Sequence, residues 1–168
     1  MSSSDRRTLL RSLPACLAVA ALAVAGCGFE PVYGSGGAGA ALRGKVRVAA
    51  PEDADGYILV QRLEERLGRA AQPDYELGFD LLTVVQGQAI TPSNETTRYS
   101  IIGTADYVLT ALADGRVLAS GEVENFTGYS ATGSTVETLA GERAARIRLM
   151  TILADQIANR LYATADPG

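Results

Sequence analysis

Residues Tyr107 to Gly121 read YVLTALADGRVLASG, and the register across their centre decides the fold. Asp114-Gly115 is a turn signal between two stretches of β-type alternation. A two-residue turn there would set Leu109 opposite Ser120 and Tyr107 opposite Glu122, burying acids beside aromatics. A three-residue loop, Ala113-Asp114-Gly115, sets Ala111 opposite Val117, Leu109 opposite Ala119, Tyr107 opposite Gly121 and Ala105 opposite Val123. One face is then apolar throughout. A one-residue slip sends every side chain to the other face, so the apolar pattern selects the second register. It predicts a type I turn with Gly115 left-handed, as a G1 bulge. Asp106, Ser120, Glu122 and Glu124 share the opposite face. Asp106 stands directly across from Glu122, which suits water rather than dry burial.

Upstream, Tyr75 to Gln86 is a strand with Tyr75, Leu77, Phe79 and Leu81 on one face and Glu76, Gly78 and Asp80 on the other. Polar residues 87–96, with Thr91-Pro92-Ser93-Asn94, read as a loop. Strand pattern resumes over Thr97 to Leu112 and again over Arg116 to Phe126, giving an antiparallel meander. Before it, Lys45 to Ala49 is a short strand. Asp53 or Asp55 suits a helix N-cap, and Leu59, Val60, Leu63 and Leu67 space the apolar face of a helix from Gly56 to Leu67. Gly68 and Pro73 end it.

After the meander, Thr127 to Gly133 reads as a loop, and Ser134-Thr135-Val136-Glu137 fits a capping box. It opens a long helix, Thr135 to Tyr162, with Val136, Leu139, Ala140, Ile147, Met150, Ala154, Ile157, Ala158 and Leu161 as its apolar stripe. The order is β-α-β-β-β-α. A sheet with one apolar face and two amphipathic helices bury each other, so the expected class is α+β. Two helices should pack on one face of a four-stranded, mainly antiparallel sheet, as a single domain over 45–163 with a tail at 164–168.

The first 26 residues are of another kind. Arg6, Arg7 and Arg11 precede an uncharged run, Leu13 to Ala25, too short to span a bilayer comfortably and ending in small residues. Val24-Ala25-Gly26-Cys27 resembles a lipoprotein lipobox, so residues 1–26 are expected to be a cleaved signal peptide and Cys27 a lipidated N-terminus. The Arg6-Arg7 pair is compatible with a twin-arginine as well as a general export route. Gly34 to Ala41, rich in Gly, Ser and Ala, reads as a flexible tether within the segment 27–44.

Composition narrows the function. The chain has 168 residues, no His, no Trp and two Cys, with net charge −4. Three Arg and one Asp lie in residues 1–26, so the chain from Cys27 onward is more acidic than the whole, which excludes a basic nucleic-acid binder. Without His, and with Cys16 inside the signal, no zinc spacing is available and no metal or cofactor is expected. No phosphate loop, dinucleotide fingerprint or serine nucleophile elbow occurs, so the chain is not expected to be an enzyme. Asp106, Glu122 and Glu124 lack a cation-binding loop and read as the wet face of a one-sided sheet. Glu64 and Glu65 are adjacent on a helix and do not face each other. Arg98, Arg143, Arg146 and Arg148 are candidate anion ligands, set against ordinary surface solvation.

Several stretches together resemble the LPS-assembly lipoprotein LptE family, alphaproteobacterial type. They are Cys27-Gly28-Phe29-Glu30-Pro31-Val32-Tyr33-Gly34, Tyr99-Ser100-Ile101, Tyr107-Val108-Leu109, the Asp114-Gly115 hairpin, Asn125-Phe126-Thr127-Gly128-Tyr129-Ser130 and the Ala-rich C-terminal helix. The resemblance implies an outer-membrane lipoprotein that plugs an LptD-type β-barrel and helps place lipopolysaccharide. Its partners would be that barrel, lipopolysaccharide and, through the lipid at Cys27, the membrane. Gly28 is not the aspartate that retains enteric lipoproteins at the inner membrane. Lipopolysaccharide is polyanionic, and Arg98, at the end of the 87–96 loop, is the expected phosphate contact. The alternatives are an envelope lipoprotein module binding peptidoglycan or another polymer, and, weaker, an envelope hydrolase.

Overall fold

The computed structural model describes residues 37–90 and 96–166. The expected signal peptide, Cys27, Phe29 and Tyr33 lie outside the described residues. The elements are α1 (Ala38–Leu42), β1 (Val46–Val48), α2 (Ala54–Leu67), β2 (Tyr75–Ile90), β3 (Thr96–Ala111), β4 (Val117–Ser130) and α3 (Thr135–Thr164). One four-stranded sheet has the order β1-β2-β3-β4. β1 runs parallel to β2, as the α2 crossover between them requires, and the other pairs are antiparallel. The fold is α+β, as expected, with α2 and α3 packed together against one sheet face.

Local chemistry accounts for the helix boundaries. The Asp53 side chain accepts a hydrogen bond from the Gly56 N–H at 2.6 Å, so Asp53 is the N-cap of α2. Gly68, at φ +81°, ends it. Ser134 and Glu137 form the full capping box of α3. Arg62 pairs with Glu65 at 2.7 Å, and Arg66 turns away to Asp155.

The apolar register holds across the hairpin: Leu109 faces Ala119, Tyr107 faces Gly121, Ala105 faces Val123 and Asp106 faces Glu122. The turn itself differs. Ala111 and Arg116 close a four-residue turn, Leu112 to Gly115, through Ala111 N–H to Arg116 C=O and Gly115 N–H to Ala111 C=O. Val117 therefore faces Thr110, not Ala111, and Leu118 is the extra residue that restores the register. Gly115 is left-handed, at φ +74°.

Other expectations need correction. β2 continues to Ile90 and β3 starts at Thr96, so the expected 87–96 loop is shorter. β4 runs to Ser130, absorbing most of the expected 127–133 loop, because Tyr99, Ser100 and Ile101 pair with Tyr129, Gly128 and Thr127. The expected tether is partly structured: Ala38–Leu42 is helical and Leu42 is fully buried. One apolar residue after a run of small ones is enough to seat the chain in the core.

The expected α3 stripe combines two helical phases, and only one of them is buried. The buried face is Ala145, Leu149, Met150, Leu153, Ala154, Ile157, Ala158, Leu161 and Tyr162. Extended towards the N-terminus, that phase meets Thr138, Gly141 and Glu142, which are half-buried. Val136, Leu139, Ala140 and Ile147 are out of phase and exposed. Gly103 fixes the closest approach to β3: a Cβ there would lie 3.0 Å from a Leu153 methyl and 3.1 Å from a Leu149 methyl.

Candidate ligand and partner face

Among the described residues the sheet's second face carries no helix, and its cross-strand rows follow from the register. Asp80, Asp106 and Glu122 form one row, and Leu82, Thr104 and Glu124 the next. Val84, Ile102 and Phe126 form a third, followed by Gln86, Ser100 and Gly128. Strand alternation predicts a polar face here. It is acidic at one end and apolar beyond, with Leu82 63% and Phe126 67% exposed. The doublets Leu81-Leu82 and Val84-Val85 are the available signal, since adjacent apolar residues on a strand must point to both faces.

Arg98 stands at the far end of this face, opposite Ala89 on one side and Ser130 on the other. With Gln88, Ser100, Phe126, Gly128, Tyr129 and Ser130 it lines an open concavity of about 650 Å³. Among the described residues Arg98 has no acidic partner. Ile102 is four residues along the same strand face, roughly 13 Å at the usual rise. A guanidinium with no acidic partner among the described residues, beside an apolar row, suits a ligand with an anionic group and a hydrocarbon part.

The other candidate arginines are mostly occupied. Arg146, by the helical pattern a surface base off the core stripe, instead donates to Asp55 Oδ2 at 2.5 Å and to Glu142 Oε1 at 3.0 and 2.9 Å. Asp55 is only 6% exposed and also accepts from the Thr83 hydroxyl at 3.2 Å. Burial would lower the Arg146 pKa, but the bonds to Glu142 and Asp55 outweigh it and hold it above the usual arginine value. Arg148 donates to the Gly128 carbonyl and Arg160 to that of Glu122, both on β4. Arg143, with Tyr57, Ile58, Leu139 and Glu142, lines a second groove, between α2 and α3. On the helix-covered face Tyr99 and Tyr129 stack with centroids 5.3 Å apart. Burial first, then the Glu142 carboxylate, raises the Tyr129 pKa.

Asp106 and Glu122 are exposed and face each other as expected. Among the described residues, no three His, Cys, Asp or Glu side chains are placed to hold a metal ion. Among the described residues the open face presents Arg98, the Arg47–Glu76 pair, polar groups and exposed apolar side chains.

Comparison with known proteins agrees with this architecture. Residues 44–161 match the family described as LptE: Lipopolysaccharide-assembly. No match is found among curated proteins. Solved structures with a similar fold include a putative lipoprotein from Caulobacter crescentus, with TM-score 0.62 and 16% identity, covering 75% of this chain and 93% of that one. Rare lipoprotein B from Shewanella oneidensis gives TM-score 0.55 at 10% identity, covering 71% and 92%. Lipoprotein B from Nitrosomonas europaea gives 0.54 at 13%, covering 71% and 82%.

Proposed function

The chain belongs to the LptE family of lipopolysaccharide-assembly proteins, and on that premise we propose that it is a lipid-anchored plug of an LptD-type outer-membrane barrel. Cys27 carries the anchor, and the domain from Gly37 onward occupies the barrel lumen or its periplasmic mouth. Large barrels have polar interiors, and a surface edged with charged helices and an acidic sheet row suits such a wall.

Lipopolysaccharide is the ligand of the Arg98 concavity. Arg98 takes a phosphate, and Phe126 with Ile102 lies against the adjoining hydrocarbon. The observation that carries this reading is Arg98, without an acidic partner among the described residues, on the same open face as the Val84–Ile102–Phe126 row. No reacting group is needed, because the step is transfer and placement without covalent change.

The test is to extract outer membranes carrying the tagged full-length chain in mild detergent and identify what copurifies. A large barrel identified as LptD-type is expected; recovery as a lone monomer would overturn the plug. Binding of lipopolysaccharide to wild type and Arg98→Glu then tests the ligand site. Equal binding by both would remove Arg98 from it.

A further inference from the structure

The two edges of the sheet are finished differently. Glu122 and Gly128 of β4 turn their carbonyls to the free edge, where Arg160 and Arg148 of α3 cap them. On the same edge the Phe126 N–H donates to the Asn125 side chain at 2.8 Å. These are the usual means of keeping a strand edge from pairing with another chain.

Among the described residues β2 has no such cover past its first residues. Tyr75 N–H donates to Lys45 C=O, and Ala49 N–H donates to Leu77 C=O. Odd-numbered residues of β2 therefore turn their backbone groups away from β3. β1 pairs only as far as Leu77, and from Leu81 through Thr83 to Val85 these groups have no backbone partner among the described residues. The edge segment Leu81-Leu82-Thr83-Val84-Val85 is uncharged and β-branched at three of its positions, and Leu82, Val84 and Val85 are exposed. Natural sheets seldom leave such an edge bare. Asp80, beside it, lies next to Asp106 in the acidic row and has no basic partner among the described residues.

We propose that the Leu81–Val85 edge of β2 receives an extended strand of the barrel partner, joined through the backbone groups of Leu81, Thr83 and Val85. The incoming strand carries apolar side chains beside Leu82 and Val84 and a Lys or Arg facing Asp80. Backbone pairing supplies the attachment, and alternate side chains with the charge pair supply selectivity. This rests on the barrel partnership proposed above. It assigns the Leu81–Val85 edge of β2 to the protein partner and leaves the Arg98 concavity, lined by β3, β4 and Gln88 at the far end of β2, to the ligand.

Residue-resolved amide exchange on the full-length lipoprotein, alone and in the complex copurified with the barrel, tests it. The amides of Leu81, Thr83 and Val85 should exchange at least ~10-fold more slowly in the complex, the expected effect of new strand hydrogen bonds. Val85→Pro removes one outward N–H, at an edge position where proline is tolerated, and should reduce copurified barrel at least ~10-fold. Asp80→Lys, on an exposed side chain, should reduce it also and does not depend on how well proline fits. A complex that forms with these three amides unprotected overturns the proposal and leaves the plug standing. Concentration-dependent protection of the same amides in the lipoprotein alone assigns the edge to a second copy and also overturns it. If wild type recovers no barrel, the plug reading fails first, before any exchange is measured, and takes this proposal with it.

Discussion

Arg146 on α3 reaches Asp55 at the start of α2, 91 residues earlier in the sequence, with a nitrogen–oxygen distance of 2.5 Å. Thr83 on β2 shares the same carboxylate oxygen, so one acid ties both helices and the sheet together. Removing the arginine leaves a buried carboxylate with a single hydroxyl partner. Removing the acid leaves an arginine that keeps Glu142.

Arg146→Ala should therefore cost about 2–3 kcal/mol, below the range for fully buried pairs because the guanidinium is partly exposed. Asp55→Asn should cost less. Arg47→Ala, which breaks the exposed pair with Glu76, should cost no more than about 0.5 kcal/mol. Urea unfolding of the three variants checks the order, and equal losses for Arg146→Ala and Arg47→Ala would remove the latch.

Phe126→Ser changes a side chain that is 67% exposed. Stability should stay within about 0.5 kcal/mol of wild type. Lipopolysaccharide binding should nonetheless weaken, and Arg98→Glu should weaken it by roughly 10-fold or more, with a shallower dependence on salt. Titration at two ionic strengths measures both; a Phe126→Ser that binds as wild type does would exclude the apolar row from the ligand site.

Gly103→Val drives side-chain atoms between Leu149 and Leu153, where even a Cβ would sit 3.0 and 3.1 Å from methyl carbons. The expected loss is about 2 kcal/mol or more. Gly115→Ala meets nothing within 4 Å. It should cost only about 1–2 kcal/mol, from the left-handed backbone. Thermal unfolding of both tells crowding from backbone strain.

Glu137 has its pKa lowered, first by the Ser134 backbone N–H and then by the Ser134 side chain. A carboxylate with a depressed folded value stabilises above its unfolded value of 4.5, and the contribution is lost as pH falls through the lower folded value. The first turn of α3 should fray below pH 4.5. Glu137→Gln, which retains the box geometry, should flatten that dependence. Amide exchange at residues 134–138 from about pH 3 to about pH 6 reads the difference; identical profiles would mean that this carboxylate does not hold the turn.

Periodicity made the sheet legible because burial on one face constrains register strongly. Ala105, Tyr107 and Leu109 could find only one set of partners on β4. The α3 stripe was less legible because Ala is apolar yet tolerates either environment, so Ala140 and Ala145 look alike while only Ala145 is buried. The ends of β2 and β4 were hidden by Gly87, Gly128 and polar neighbours, which pair through backbone atoms that carry no side-chain pattern. Arg98 was legible as a base. Its neighbour Phe126 was not, since its exposure depends on which face the whole meander turns outward. Asp55 could be read only as a possible cap, because its actual partner lies on the last helix.

The burial of Leu42 would set a length scale for the protein if it is anchored at Cys27, as proposed above. The described domain begins at Gly37, so a lipid held at Cys27 would leave residues 28–36 between anchor and domain. Fully stretched, a segment of that length reaches about 30 Å. A leash so short would confine the domain of a protein lipidated at Cys27 to a thin layer beside the leaflet holding its acyl chains. The search for a partner in the same membrane would then become nearly two-dimensional, and local concentration rather than intrinsic affinity would govern how fast the two assemble.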